Sequence, residues 1–169
     1  MKPLLIGIFL ASASLLHAQI LPNPGFESGM EGWTTTEKTP VTTVSTEAAR
    51  TGTHGLRIDD QAETDGARFS SDAFTVSPGQ KVTLSFWARS PQGDVAGVSL
   101  QPLGARNRPL MDEKGQPPLV IGIKTSTDWK QYNATYTVPD EAESMVINIR
   151  SWSRSKGVVD LDDFDIVIE

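Results

Sequence analysis

Residues 81–89 read KVTLSFWAR, directly after the turn sequence SPGQ at 77–80. Val82, Leu84, Phe86 and Ala88 fall on one side of this segment, and Ser85, Trp87 and Arg89 fall on the other. Alternation with a period of two marks a half-buried β-strand, one face in the core and one outside. Working outward, the same kind of segment recurs at Thr42–Ser45, Gly55–Asp59, Arg68–Val76, Val95–Gln101, Leu119–Lys124, Lys130–Val138, Glu143–Trp152 and Gly157–Ile168, separated by Gly, Pro, Asp and Ser. No amphipathic helix or βαβ alternation interrupts them, so the pattern predicts an all-β sandwich or barrel. There is no internal repeat or low-complexity linker, and residues 19–169 read as one domain. Gly104–Pro118, containing RNRP and MDEKGQPP, reads as one long polar loop, a length that is uncommon and often functional.

Parity assigns directions to other side chains. In QYNATYTV (131–138), Tyr132, Ala134, Tyr136 and Val138 are predicted inward and Asn133 outward. In MVINIRSW (145–152), Met145, Ile147 and Ile149 are inward, which puts Asn148, Arg150 and Trp152 outside. The last segment breaks its own rule: Val159 and Leu161 are odd-numbered, whereas Phe164, Ile166 and Ile168 are even-numbered. A β-bulge across Asp162-Asp163 is the simplest way to keep both sets in the core. Such a bulge can turn a carboxylate inward, where it requires hydrogen bonds or a cation. Calcium suits that position, because it accepts carboxylate and carbonyl oxygens in flexible geometry; a solvated strand end is the alternative.

The first residues, MKP followed by the apolar run Leu4–Leu16 and a small residue at Ala18, have the layout of a secretory signal peptide over 1–18. This predicts a secreted or periplasmic protein. The apolar run is too short to span a bilayer as a helix. The chain has no cysteine, so an exported domain of this size depends on its core or on a bound ion. A formal net charge of -6 argues against nucleic acid or anionic membranes as partners.

Five segments taken in order, ILPNPGFESGMEGW (20–33), AARTGTHGLRI (48–58), VSPGQKVTLSFWARS (76–90), DWKQYNATYTVP (128–139) and VVDLDDFDIVI (158–168), resemble the carbohydrate-binding modules of the cellulase and xylanase type, families 4, 9, 16 and 22, within the galactose-binding-domain-like superfamily. The resemblance covers nearly the whole chain after residue 18. It implies a jelly-roll β-sandwich of two antiparallel sheets that holds a polysaccharide or oligosaccharide on a concave sheet face without cleaving it. It also implies a structural Ca²⁺, with Glu27, the loop Glu47–Thr53, and Asp162 or Asp163 at the matching positions. Trp33 and Trp129 become packing residues. Trp87 and Arg89, with Asn148, Arg150 and Trp152, become the platform on which sugar C–H faces stack and hydroxyls pair. Gln101 and Asn133 add hydrogen bonds if their strands neighbour these. The alternative to the platform is that Trp87 lies under a loop or the convex cover and Arg150 pairs with an acid.

Catalysis has little support. His54 is the one histidine after the leader, and no GxSxG, HExxH or phosphate-binding glycine loop occurs. Glu141 and Glu143 with Asp94 are the conceivable glycosidase carboxylates, but two of them follow the turn TVPD, where solvated acids are ordinary. The expectation is a monomeric, non-catalytic binding module. A structural or adhesive envelope module without a glycan ligand is the rival reading, since a fold does not fix a function.

Overall fold

Strict alternation around residues 81–89 produces the strand on which the molecule is assembled. The computed structural model describes residues 20–64 and 66–169, so the predicted leader lies outside the described residues. The strands are β1 (Trp33–Thr35), β2 (Thr42–Ser45), β3 (Gly55–Asp60), β4 (Arg68–Ser71), β5 (Phe74–Thr75), β6 (Lys81–Gln92), β7 (Ala96–Gly104), β8 (Arg108–Pro109), β9 (Leu119–Gly122), β10 (Ser126–Thr137), β11 (Ser144–Ser151) and β12 (Gly157–Ile168). All pairings are antiparallel. A large sheet runs β1-β4-β11-β7-β8, with β5 also on β11 and β9 also on β7; a small sheet runs β10-β6-β12-β3-β2. This is the expected jelly-roll sandwich of two antiparallel sheets, closed over one apolar core.

The inward parity set fills that core. Val82, Leu84, Phe86 and Ala88 from the small sheet meet Val98, Leu100, Met145, Ile147 and Ile149 from the large one, all fully buried. An aromatic cluster closes one end: Trp33 stacks on Phe69 at 5.4 Å, and Phe164 stacks on Phe86 at 5.2 Å. Phe26, with φ at 59°, sits among them and anchors the N-terminal segment. Trp33 is thus the core residue it was expected to be.

The predicted bulge is present. Pairing of β12 with β6 slips between Asp162 and Asp165, and Asp163 adopts φ 51°. Val159, Leu161, Phe164 and Ile166 are consequently all buried. One correction follows. Asp162 does not turn into the core: it pairs with the outward residue Trp87 and is buried because the loop carrying Arg50 and Thr51 covers it. Other departures are local. The predicted strand 68–76 breaks into β4 and β5, β1 is additional, and the polar stretch 104–118 begins with a 3-10 turn (Ala105–Asn107) and folds back through β8 onto β7.

Candidate functional site

The outer face of the large sheet is built by parity and register. Arg150 on β11 lies opposite Arg68 on β4 and Gly97 on β7, and Gly97 lies opposite Gly122 on β9. The next outward row is Ser70, Asn148, Ser99 and Val120. Trp152 follows β11 immediately and is fixed by its backbone N–H donating to Val95 O at 2.6 Å. Its indole rests on Gly97: a Cβ at that glycine would stand 2.5 Å from Cζ2 and 2.8 Å from Cη2. A side chain of any kind at 97 would displace the ring. Despite this anchoring the residue remains 37% exposed.

Three adjoining depressions run across this face. The first is lined by Thr36, Lys38, Gly66 and Arg68, and the next by Gly66, Arg68, Arg150 and Trp152. The last is lined by Arg150, Trp152, Gly97, Val120 and Gln116. Because neighbouring depressions share residues they form one groove. From Thr36, just past β1, it crosses β4, β11, β7 and β9, four inter-strand steps of ~4.8 Å and so about 19 Å. Asn148 accepts from the Ser70 hydroxyl at 2.6 Å. Among the described residues, neither Arg68 nor Arg150 has a side-chain hydrogen bond or an ion pair.

The small sheet's outer face has similar side chains in a different state. Asp160, fully buried, receives Arg57 Nε at 2.7 Å, Arg57 Nη2 at 3.1 Å and Arg89 Nε at 2.9 Å. Arg57 also pairs with Glu47, and Arg89 donates to the Glu47 carbonyl at 2.7 Å. Hydrogen bonding to Asp160 raises the pKa of Arg57 further above its ordinary value. Arg89 lies 5.0 Å over Trp129, and Arg50 lies 3.6 Å over Trp87 while pairing with Asp163. Every guanidinium here already has an acid.

The residues expected to form one platform therefore separate. Gln101, Asn148, Arg150 and Trp152 belong to the large sheet; Trp87, Arg89 and Asn133 belong to the small one, on the opposite side of the sandwich. Trp87 lies beneath Arg50, and Trp129 is partly exposed on that outer face rather than in the core. Gln101 is buried, with its amide donating to the carbonyls of Pro102 and Leu110, so it fastens the returning chain at β8. Arg68 and Lys38, which line the groove, were missed. Arg68 was readable by the rule that found Arg150, since Phe69 beside it is inward; Lys38 carries no such signal.

The residues expected to hold an ion also divide. Glu47 is engaged by Arg57, away from the others. Glu27 accepts from the backbone N–H and hydroxyl of Thr53 and from the N–H of His54, and these bonds, the Thr53 hydroxyl foremost, lower its pKa to about 2. Asp162 accepts the N–H groups of Arg50, Thr51 and Asp163. Burial nevertheless pushes its pKa up. Glu27, Asp162 and Asp163 thus grip one loop, residues 50–54, with carboxylate oxygens of the kind calcium takes; Glu47 does not fit. Among the described residues no three Asp, Glu, His or Cys side chains converge as a metal cluster.

A family model described as Carbohydrate binding domain, covering families 4 and 9, matches residues 18–156. The chain belongs to that family. As a carbohydrate-binding domain it has a relative in "Exochitinase 1" of Streptomyces olivaceoviridis, 27% identical over 157 residues, which are 93% of this chain and 23% of the relative. Among solved structures, the enzymatically active domain of bacteriophage CBA120 tailspike protein 4 superposes with a TM-score of 0.70 at 17% identity, over 89% of this chain and 21% of that one. A Family 16 Carbohydrate Binding Module-2 superposes with a TM-score of 0.65 at 19% identity, over 88% of this chain and 99% of the module. The chain spans about a quarter of the exochitinase and matches the module end to end. Family membership supports a polysaccharide-binding role for this carbohydrate-binding domain.

Proposed function

We propose that the chain is an exported, monomeric, non-catalytic module whose glycan-binding surface is the outer face of the large sheet. The supporting observation is Trp152, its ring held against Gly97 inside the groove while remaining accessible. A sugar's C–H face stacks on the indole, and the neighbouring Arg150, Arg68 and Asn148 supply donors to hydroxyl or acidic oxygens. Trp87, Arg89 and Asn133 are outside this surface. Affinity electrophoresis over a set of polysaccharides tests the reading. W152A is expected to lose retardation in whichever gel retards the wild type, and G97V, which evicts the ring, is expected to do the same. Wild-type retardation persisting in both variants would refute it.

A structural calcium ion is the second part of the proposal. Glu27, Asp162 and Asp163 would hold it, and its charge would offset the cost of burying Asp162 while tying the N-terminal segment to β12. Added calcium is then expected to raise the melting temperature and chelator to lower it. A melt that ignores both, with no calcium by elemental analysis, removes the ion from the account.

A further inference from the structure

We propose that the glycan held in this groove is an anionic one, carrying carboxylate or sulfate groups that sit between Arg68 and Arg150. The inference rests on the reading of the groove as the binding surface and adds the ligand's charge.

Arg68 and Arg150 are directly opposite each other on adjacent antiparallel strands. That register puts their Cβ atoms about 5 Å apart, and like charges so placed destabilise a sheet. The protein elsewhere relieves such crowding. Arg57 and Arg89 share Asp160, Arg50 has Asp163, Lys124 has Asp94 and Lys156 has Glu63. Other cations, Lys81 and Lys130 among them, also lack an ion pair among the described residues, but they face Thr137 and Ala88 across their strands, whereas in the groove a like charge stands opposite. Lys38, Arg68 and Arg150 line it, and none has an ion pair among the described residues.

Among the described residues, the acid lining this stretch with them, Glu37, does not neutralise them. Its carboxylate accepts the N–H groups of Val41, Thr42 and Arg68 and the Thr42 hydroxyl, so it caps the start of β2 instead of meeting a guanidinium. Asp60, nearby and buried, accepts the Ser151 hydroxyl and the Ala62 N–H. Two planar forks therefore face solvent side by side, next to an accessible indole, in a chain whose net charge is -6. A guanidinium fork matches a carboxylate or sulfate in a bidentate way, which a neutral hydroxyl cannot reproduce. An acidic protein gains nothing from overall attraction to a polyanion, so recognition has to come from such a local site.

Affinity electrophoresis of the full chain in gels containing polygalacturonate, dextran sulfate, or the uncharged polymers dextran, xylan and laminarin tests this. The wild type is expected to be retarded more by polygalacturonate or dextran sulfate than by any uncharged polymer. Polygalacturonate alone identifies a carboxylate, and dextran sulfate alone a sulfate. R68Q and R150Q are each expected to weaken that retention about tenfold or more, the loss of one charge-assisted contact. R150K, keeping the charge without the fork, falls in between, and K81Q, an equal charge change on the small sheet, retains wild-type mobility shifts. Without ligand, R150Q melts at the wild-type temperature or above it, because a repulsion is removed; a lower melt means a structural partner and overturns the proposal. If only uncharged polymers retard the protein, and R68Q and R150Q behave like the wild type, the anionic ligand is wrong while the groove stands. If no polymer retards it, the groove reading falls as well.

Discussion

The two outer faces of the sandwich use the same residue types to opposite ends. On the small sheet, Arg57, Arg89 and Arg50 lie over Trp129 and Trp87 or share Asp160 and Asp163, so each charge has its counter-charge and each ring its cover. On the large sheet, Arg68 and Arg150 have no acid among the described residues, and the indole of Trp152 is open above Gly97. An outward Trp with an outward Arg is therefore not a site by composition. What separates the faces is whether the protein has already satisfied the groups. A face that completes its own hydrogen bonds and ion pairs contributes to stability, and one that leaves them open has capacity left for a ligand.

That contrast is broken most severely at Asp160. Its carboxylate has no solvent exposure and takes three guanidinium hydrogen bonds, while Arg57 and Arg89 are about a quarter exposed. D160A leaves Arg89 without an acid and Arg57 with Glu47 alone, and the expected loss is about 3 kcal/mol, the low end for a broken buried pair because water partly screens both arginines. Urea unfolding measures it. A loss under about 0.5 kcal/mol, the size of an ordinary surface substitution, would show that the small sheet's network is ornamental. Glycan retention is expected to be unchanged in the same variant.

The tryptophans sharpen the comparison at smaller cost. W87A removes the ring beneath Arg50 and is expected to lower stability by about 1–2 kcal/mol, through lost burial and the cation–π contact, with glycan retention intact. W152A is expected to do the reverse, losing glycan retention with an urea midpoint close to wild type. Equal behaviour of the two variants in either assay would erase the distinction between the faces.

Much of this was legible from alternation alone. Period two in KVTLSFWAR and MVINIRSW gave the inward sets correctly, and the parity change across Asp162-Asp163 located a bulge that the pairing of β12 with β6 contains. Alternation says which side of its own strand a residue occupies. It does not say which strands are neighbours. Trp87 and Trp152 have the same outward signal, and only the order β10-β6-β12 in one sheet and β4-β11-β7 in the other puts them on opposite sides of the molecule. Gly97 shows the same limit. As a lone glycine in a strand it signals close approach of something, but the pairing Gly97 to Arg150 is what brings Trp152 over it. Gln101 failed for another reason: its register was right, but the chain returning through Leu110 consumes its amide.

Acid titration offers the smallest effect, and it probes how the loop between β6 and β7 is held beside the groove's far edge. Asp94 accepts the Thr125 hydroxyl and N–H, both at 2.6 Å, and Lys124 Nζ at 3.0 Å. The Thr125 hydroxyl first, then its N–H and Lys124, lower its pKa to about 2 from an ordinary 3.8. A carboxylate whose folded pKa is depressed contributes stability that is fully present above the unfolded value and is lost as pH falls through the folded one. Asp94 therefore stabilises fully above pH 3.8 and ceases to as pH approaches about 2. In D94N the stability-against-pH curve is expected to be flatter across that interval than in the wild type, and to lie below it at neutral pH. Parallel curves for the two proteins would mean that Thr125 and Lys124 do not hold the folded carboxylate in its charged form.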